Sequence, residues 1–329
     1  MVRKPKFKLI AKGEDITEKL SKNLINISYE DKEKAESDEI SLSIFGLYSK
    51  PLFGDSLELY LGFEKLFKCG SFSVNVVSKN YTSNTTEVRA SAINFSGKGS
   101  VNIKEKKTRS FENTTLFTIA RKIANENNLK IKTSGEDQNI VSILQNNQSN
   151  LEFLYSICFD YGFICCVKEN TLIITPKDGK IGDNAANITS KNENLPLFEI
   201  ALKECISLEI SESARNEYSA VIAEWQDINE AKIKSIKVGS GENIYKMQIS
   251  QPKNDNEAFK KAQAKLNELQ KGGLNGRCEL IGREIRAGGK LKIKDINMDH
   301  YEFSIKSVSH SFNDQAYIIS VEFELRLML

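Results

Sequence analysis

Along the first hundred residues, apolar and polar side chains alternate with a period of two. In DEISLSIFG, Ile40, Leu42 and Ile44 fall on one face and Glu39, Ser41 and Ser43 on the other. DSLELYLGF repeats the pattern with Leu57, Leu59 and Leu61, GSFSVNVVS with Phe72, Val74 and Val76, and TEVRASAINFS with Val88, Ala90 and Ala92. Successive side chains of a strand point to opposite faces, so this alternation predicts half-buried strands with one wet face. The intervening SKPLFGDS, FEKLFKCG and YTSNTTE are turn material. Short strands at this spacing predict an antiparallel sandwich or small barrel over residues 1–105.

The period then lengthens. In NTTLFTIARKIANENN, Leu116, Ile119, Ala120, Ile123 and Ala124 fall on one helical stripe, and Leu151, Leu154, Tyr155, Cys158 and Phe159 repeat that spacing in QSNLEFLYSICFDYGF. Ser149 with Glu152 matches a capping box, and Gly162 suits the left-handed position past the helix end. NTLIITP reads as a strand closed by Pro176. The segment KDGKIGDNAANITSKNENLP is rich in Gly, Asn, Asp and Lys, which predicts an exposed connector and a boundary near Pro196. Residues 106–195 thus form an α/β insert and its connector. Residues 196–329 return to strands: CISLEISES, EYSAVIAEWQ, AKIKSIKVG, IYKMQIS, GKLKIKDI, YEFSIKSVSHSF and YIISVEFELRL. One helix interrupts them, with Phe259, Ala262, Leu266 and Leu269 inward, Asn254 and Glu257 at its start and Gly272 at its end. The class is mainly β with an α/β insert.

Composition removes several functions. The 46 basic and 44 acidic residues of this 329-residue chain nearly cancel, and a net charge of +2 argues against general binding to nucleic acid or a membrane surface. No apolar stretch approaches the ~20 residues that span a bilayer. The opening MVRKPKFKLIAKGED lacks a continuous apolar region, so no signal peptide is read. Cys69, Cys158, Cys165, Cys166, Cys205 and Cys278 show no C-x-x-C spacing and are expected as reduced thiols that fill cores. A single Trp leaves little stock for an aromatic binding surface.

The candidate chemistry is thin. His310 shares a strand face with Val308 and Phe312, and His300 lies in the turn-like NMDHYEF. Neither belongs to an H-x-H or H-E-x-x-H pattern, no cysteine stands at zinc spacing from them, and no G-x-S-x-G elbow exists. His310 is therefore expected to be structural, with no catalytic, cofactor-binding or metal-binding residue assigned. The acidic pairs Glu14 and Asp15, Glu30 and Asp31, and Asp38 and Glu39 are expected to be solvated strand-turn carboxylates with ordinary pKa values. SGKGS at Ser96–Ser100, GGLNGR and RAGGK lack phosphate-loop spacing and read as hairpin punctuation. NIKEKKTRS gathers Lys104, Lys106, Lys107 and Arg109; it reads as an exposed loop, with a surface for an acidic partner or DNA phosphate as the alternative.

Several stretches taken together are similar to the phage late control protein D family. The opening GEDITEKLSKNLINISYEDKEKAESDEISLSI carries Asp15, Ile16, Thr17, Ser28, Asp31, Ser37 and Asp38 at the family's positions. FGDSLELYLGF and CGSFSVNVVS match through Gly54, Leu57, Leu61, Gly62, Gly70 and Phe72. Gln145, Ser149, Phe153 and Leu154 open a helix resembling the family's second. Val308 and His310 fall on its V-x-H pattern, and Ala316, Tyr317 and Ser320 approximate its ending.

The resemblance runs along nearly the whole chain and implies a baseplate hub of a contractile tail, related in fold to the hub portion of type VI secretion spike proteins. It implies two antiparallel β-barrel domains, 1–105 and 196–329, flanking the helical insert, and a homotrimer whose six similar barrels ring an axis. That ring would join the hexameric tail tube protein to the trimeric tail spike protein, beside tape-measure and baseplate proteins. DNA would pass through the channel without specific binding, and no membrane, cofactor or catalysis is implied. The virion baseplate is the expected location, after assembly in the host cytoplasm. The alternatives are a ligand- or nucleic-acid-binding β-barrel module and a hub with peptidoglycan-hydrolase activity.

Overall fold

A computed structural model describes residues 4–33, 37–92, 105–168, 171–176, 195–212, 218–227, 230–271, 274–297 and 301–328. The alternating segments of the first portion become β1 (Lys6–Ala11), β2 (Glu14–Asp15), β3 (Leu24–Lys32), β4 (Glu39–Phe45), β5 (Ser56–Gly62), β6 (Leu66–Asn80) and β7 (Thr85–Ser91), with a short helix α1 (Thr17–Ser21) after β2. The side chains expected inward on β4, β5 and β7 are all buried. On β6 the alternation breaks: Phe72 and Val74 are buried, but Val76 is 44% exposed. A register shift against β7 between Val74 and Val76 inserts an extra residue, so Val77 takes the inward place.

The insert contains β8 (Lys107–Thr115), α2 (Leu116–Glu126), β9 (Lys130–Thr133), β10 (Asn139–Gln148), α3 (Asn150–Asp160), β11 (Phe163–Lys168) and β12 (Thr171–Pro176). Every inward residue expected on α2 is buried. Helix α3 opens with the reciprocal Ser149–Glu152 capping box and is followed by Gly162 at φ +73°. Its buried arc is wider than one stripe and takes in Phe153 and Ile157, whereas Phe159 is exposed. Phe153 stacks on Phe111 of β8 at 5.5 Å, which shows what fills that extra face.

The last portion holds β13 (Leu197–Ala201), β14 (Cys205–Glu212), β15 (Ala220–Asp227), β16 (Lys232–Gly239), β17 (Ile244–Gln248), α4 (Asp255–Lys271), β18 (Leu274–Ile281), β19 (Lys290–Lys294), β20 (Tyr301–Phe312) and β21 (Tyr317–Met328). Asn254 Oδ1 accepts the Glu257 N–H at the start of α4. Strands β15–β17 do not join the larger sheet. They form a separate three-stranded sheet, and Val221, Ala223 and Val238 pack with Ala262 and Leu266 of α4 in a small core of their own.

With 58% strand and 16% helix, the fold is mainly β. One sheet runs β14-β18-β21-β20-β3-β4-β7-β6-β5-β1-β2 and therefore joins the last portion to the first. Strand β20 makes the join. One edge pairs with β21, while the other meets β19 near its start and β3 from Ser307↔Lys32 to Phe312↔Ile27. The hydrogen-bonded ladder of the described residues closes into no barrel. Nor is every pairing antiparallel, because β13–β19, β9–β12 and β15–β17 are parallel. The seam explains why one core continues from Tyr29, Ile40 and Leu59 through to Phe303, Val308 and Phe323, while the insert keeps a second core around α2 and α3.

Candidate functional site

The chain's three portions meet at the end of β3, where two carboxylates are buried and two cations partly so. A cleft of about 630 Å³ opens between the sheet and the insert, lined by Asp38, Cys69, Cys166, Lys168, Arg286 and Ala287 among others. Alternation along β11 puts Ile164, Cys166 and Lys168 on one face, so a lysine ends an otherwise apolar row.

Lys168 Nζ contacts Asp31 Oδ1 and lies 3.1 and 3.0 Å from the two carboxylate oxygens of Asp38. The Asp31 side chain is fully buried and that of Asp38 nearly so, at 5% exposure. Asp31 Oδ2 also accepts the Ala287 N–H at 3.1 Å, and Asp38 Oδ1 accepts the Lys32 N–H at 3.1 Å. Burial pushes the Asp38 carboxyl up to about 6, against the opposing pull of Lys168. Burial alone would lower the Lys168 ammonium, but Asp31 and Asp38 outweigh it and hold the amine above its ordinary range.

Arg286 completes the junction from the other side. Strand β6 bulges at Cys69, since Leu59 pairs with Gly70 and Tyr60 with Lys68. The Arg286 guanidinium donates to the Lys68 and Cys69 carbonyls freed there, approaches the Tyr29 hydroxyl at 3.4 Å and lies 5.3 Å over the Phe67 ring. Such a planar fork matches two neighbouring carbonyls better than a lysine would.

His310 stands on the seam itself, where it pairs with Tyr29 of β3. It is 1% exposed, stacks on the Tyr29 ring at 4.9 Å and shares a 2.7 Å hydrogen bond between Nδ1 and the Tyr317 hydroxyl. Its Nε2 has no protein partner. Burial, helped by the nearby Arg286 charge, drives its pKa down to about 3, so the ring is neutral at physiological pH.

The other residues singled out in the sequence scatter. Glu14 and Asp15 are exposed and paired locally with Lys19 and Thr17. The expectation of solvated carboxylates fails at Asp31 and Asp38, which are buried against Lys168 of the insert and, for Asp31, the Ala287 N–H. The exposed-loop reading of the basic cluster fails from Lys107 onward, which is strand β8. Arg109 donates to Glu126 at 2.6 Å, Gln145 at 2.8 Å and Asn150 at 3.1 Å, tying β8 to α2, β10 and α3. Lys106 is exposed, while Lys104, His300, Gly272 and Ser96–Ser100 lie outside the described residues. RAGGK forms a turn between β18 and β19 with Gly288 at φ +79°. All six cysteines are free. Among the described residues, no group of three or more His, Cys, Asp or Glu is placed to hold a metal ion. Lys168 and Arg286 carry the junction; Arg286 entered the sequence reading only as part of RAGGK, taken as hairpin punctuation, and for Lys168 the one signal was a lysine ending the apolar row of FICCVK.

The same overall fold occurs in solved phage tail proteins. The fold matches a 43 kDa tail protein of prophage MuSo2 from Shewanella oneidensis with a TM-score of 0.69 at 14% identity, over 97% of this chain and 98% of the other. A tail protein of Neisseria meningitidis MC58 gives 0.70 at 10% identity, over 97% and 96%. A type VI secretion component of E. coli, described as structurally similar to T4 tail proteins, gives 0.56 at 9% identity over 92% of this chain and 73% of its own. In sequence, the chain is similar to the probable baseplate hub protein of Escherichia phage P2, 22% identical over 374 residues covering 98% of this chain and 94% of that one. No family model matches.

Proposed function

We propose that this chain is a structural, non-enzymatic baseplate hub protein of a contractile phage tail or tail-like particle. The observation that carries the reading is the extent of the likeness: it takes in 97% of the chain, insert included, in the tail-protein folds and 98% in the phage P2 hub sequence. In this reading residues 1–105 and 196–329 act as two similar barrel-like units around the 106–195 insert. Three chains then present six pseudo-equivalent units about one axis, which can face a hexameric tube on one side and a trimeric spike on the other. Closed rings with repeated patches are ordinary oligomer geometry. The partners are the tube and spike proteins, with tape-measure and other baseplate proteins nearby. DNA passes through the channel without specific contacts, and the ring sits in the virion after assembly in the host cytoplasm.

Light scattering on the purified protein, alone and mixed with its tube and spike proteins, tests the reading. A particle of three times the 37.0 kDa chain mass is expected. A monomer at micromolar concentration under both conditions overturns it.

A further inference from the structure

The junction holds an arrangement that can do chemistry on itself. An amine, a carboxyl and a second carboxyl meet there, both carboxyls buried and the amine at the cleft wall: Lys168 on β11 in the insert, Asp31 on β3, and Asp38 just before β4. We propose that Lys168 and Asp31 become joined by an intramolecular amide bond, with Asp38 as the proton relay. The bond lies outside the hub reading and does not depend on it.

Three features support the reaction. Lys168 Nζ is already in contact with the Asp31 carboxyl, so attack is unimolecular, and well-oriented intramolecular reactions reach effective molarities of about 10⁵–10⁸ M. The Ala287 N–H holds Asp31 Oδ2 at 3.1 Å and is placed to stabilise negative charge that builds there. Both Asp38 oxygens stand within hydrogen-bond reach of the same Nζ, and burial lifts that carboxyl to about 6, where it can take and return a proton near neutral pH.

The step balances without an outside reagent. One proton passes from the Lys168 ammonium to Asp31 Oδ1, turning the ion pair into a neutral amine and a neutral acid against the pull of the two carboxylates on the ammonium. The nitrogen lone pair attacks Cγ of Asp31, forming the N–C bond and moving the carbonyl electrons onto Oδ2. Asp38 takes a second proton from nitrogen and delivers it to Oδ1. The Cγ–Oδ1 bond breaks, the Oδ2 carbonyl re-forms and one water leaves. Nothing is oxidised or reduced. The product staples β11 to β3 across 137 residues of chain, fixing the insert to the sheet by a covalent bond.

Intact mass spectrometry of the full chain under denaturing conditions tests the proposal, followed by peptide mapping. The wild type is expected one water lighter than its sequence mass, with a branched peptide joining the Asp31 segment to the Lys168 segment. Lys168→Arg keeps the charge but is expected at full mass, as is Asp38→Asn, which retains both reacting groups; circular dichroism checks that each variant is folded. A wild type at full mass overturns the proposal and leaves a plain buried ion pair. So does a water loss that persists in Lys168→Arg, or one without the branched peptide.

Discussion

Replacing His310 by Asn should remove most of the seam's sensitivity to acid. Asn can keep a partner for the Tyr317 hydroxyl near the Nδ1 position, but it does not titrate. The folded-state pKa of His310 is depressed to about 3 from the ordinary 6.5. A native state that refuses this proton binds fewer protons than the unfolded chain, so the contribution is fully present above 6.5 and is lost as pH falls from 6.5 toward 3. Between pH 7 and pH 5, protonation of the unfolded His alone weakens folding by about 2 kcal/mol, roughly a 25-fold change in the unfolding constant. Asp38 works in the opposite direction: its raised pKa adds relative stability as pH falls through 6. That term is common to wild type and variant and cancels in their difference. Urea unfolding followed by far-UV circular dichroism at pH 7, 6 and 5 is the assay, because the single Trp225 lies on β15 away from the seam. The gap between the two proteins should shrink, or reverse, by about 2 kcal/mol toward pH 5. Parallel stability curves would refute the account of His310 as a buried neutral ring.

Two further substitutions probe the scaffold. Arg286→Met withdraws the donors from the Lys68 and Cys69 carbonyls at the β6 bulge and should cost about 2–4 kcal/mol in urea denaturation, each part-buried acceptor left unpaired contributing about 1–2 kcal/mol; a loss near zero would mean that water replaces the guanidinium. Ser149→Ala removes one half of the α3 capping box and should lower stability by about 1 kcal/mol, visible as a lower midpoint, while Ser149→Thr should recover most of it.

The seam also shows where local patterning stops being informative. Ile40, Leu42 and Ile44 declare a strand with one wet face because a period of two is a local property. The pairing of Ser309 with Glu30 bridges 279 residues and leaves no trace in either segment's alternation. Alternation equally could not anticipate the bulge that turned Val76 outward, since the extra residue is defined against β7 and not along β6.

Segment identity, the helix stripes of α2 and α4, the capping box of α3 and the mainly β class were all set by the order of residues, because propensity, periodicity and capping act within a few positions. The chain's own composition also made general electrostatic binding to nucleic acid or membranes a poor reading. Tertiary packing decided the rest. Asp31 and Asp38 read as turn carboxylates until the fold buries them, and Lys168 reads as a strand-end lysine until β11 brings it against both. A side chain's dielectric surroundings and partners are supplied by distant segments, so the charge and chemistry of this junction exist only in the folded chain.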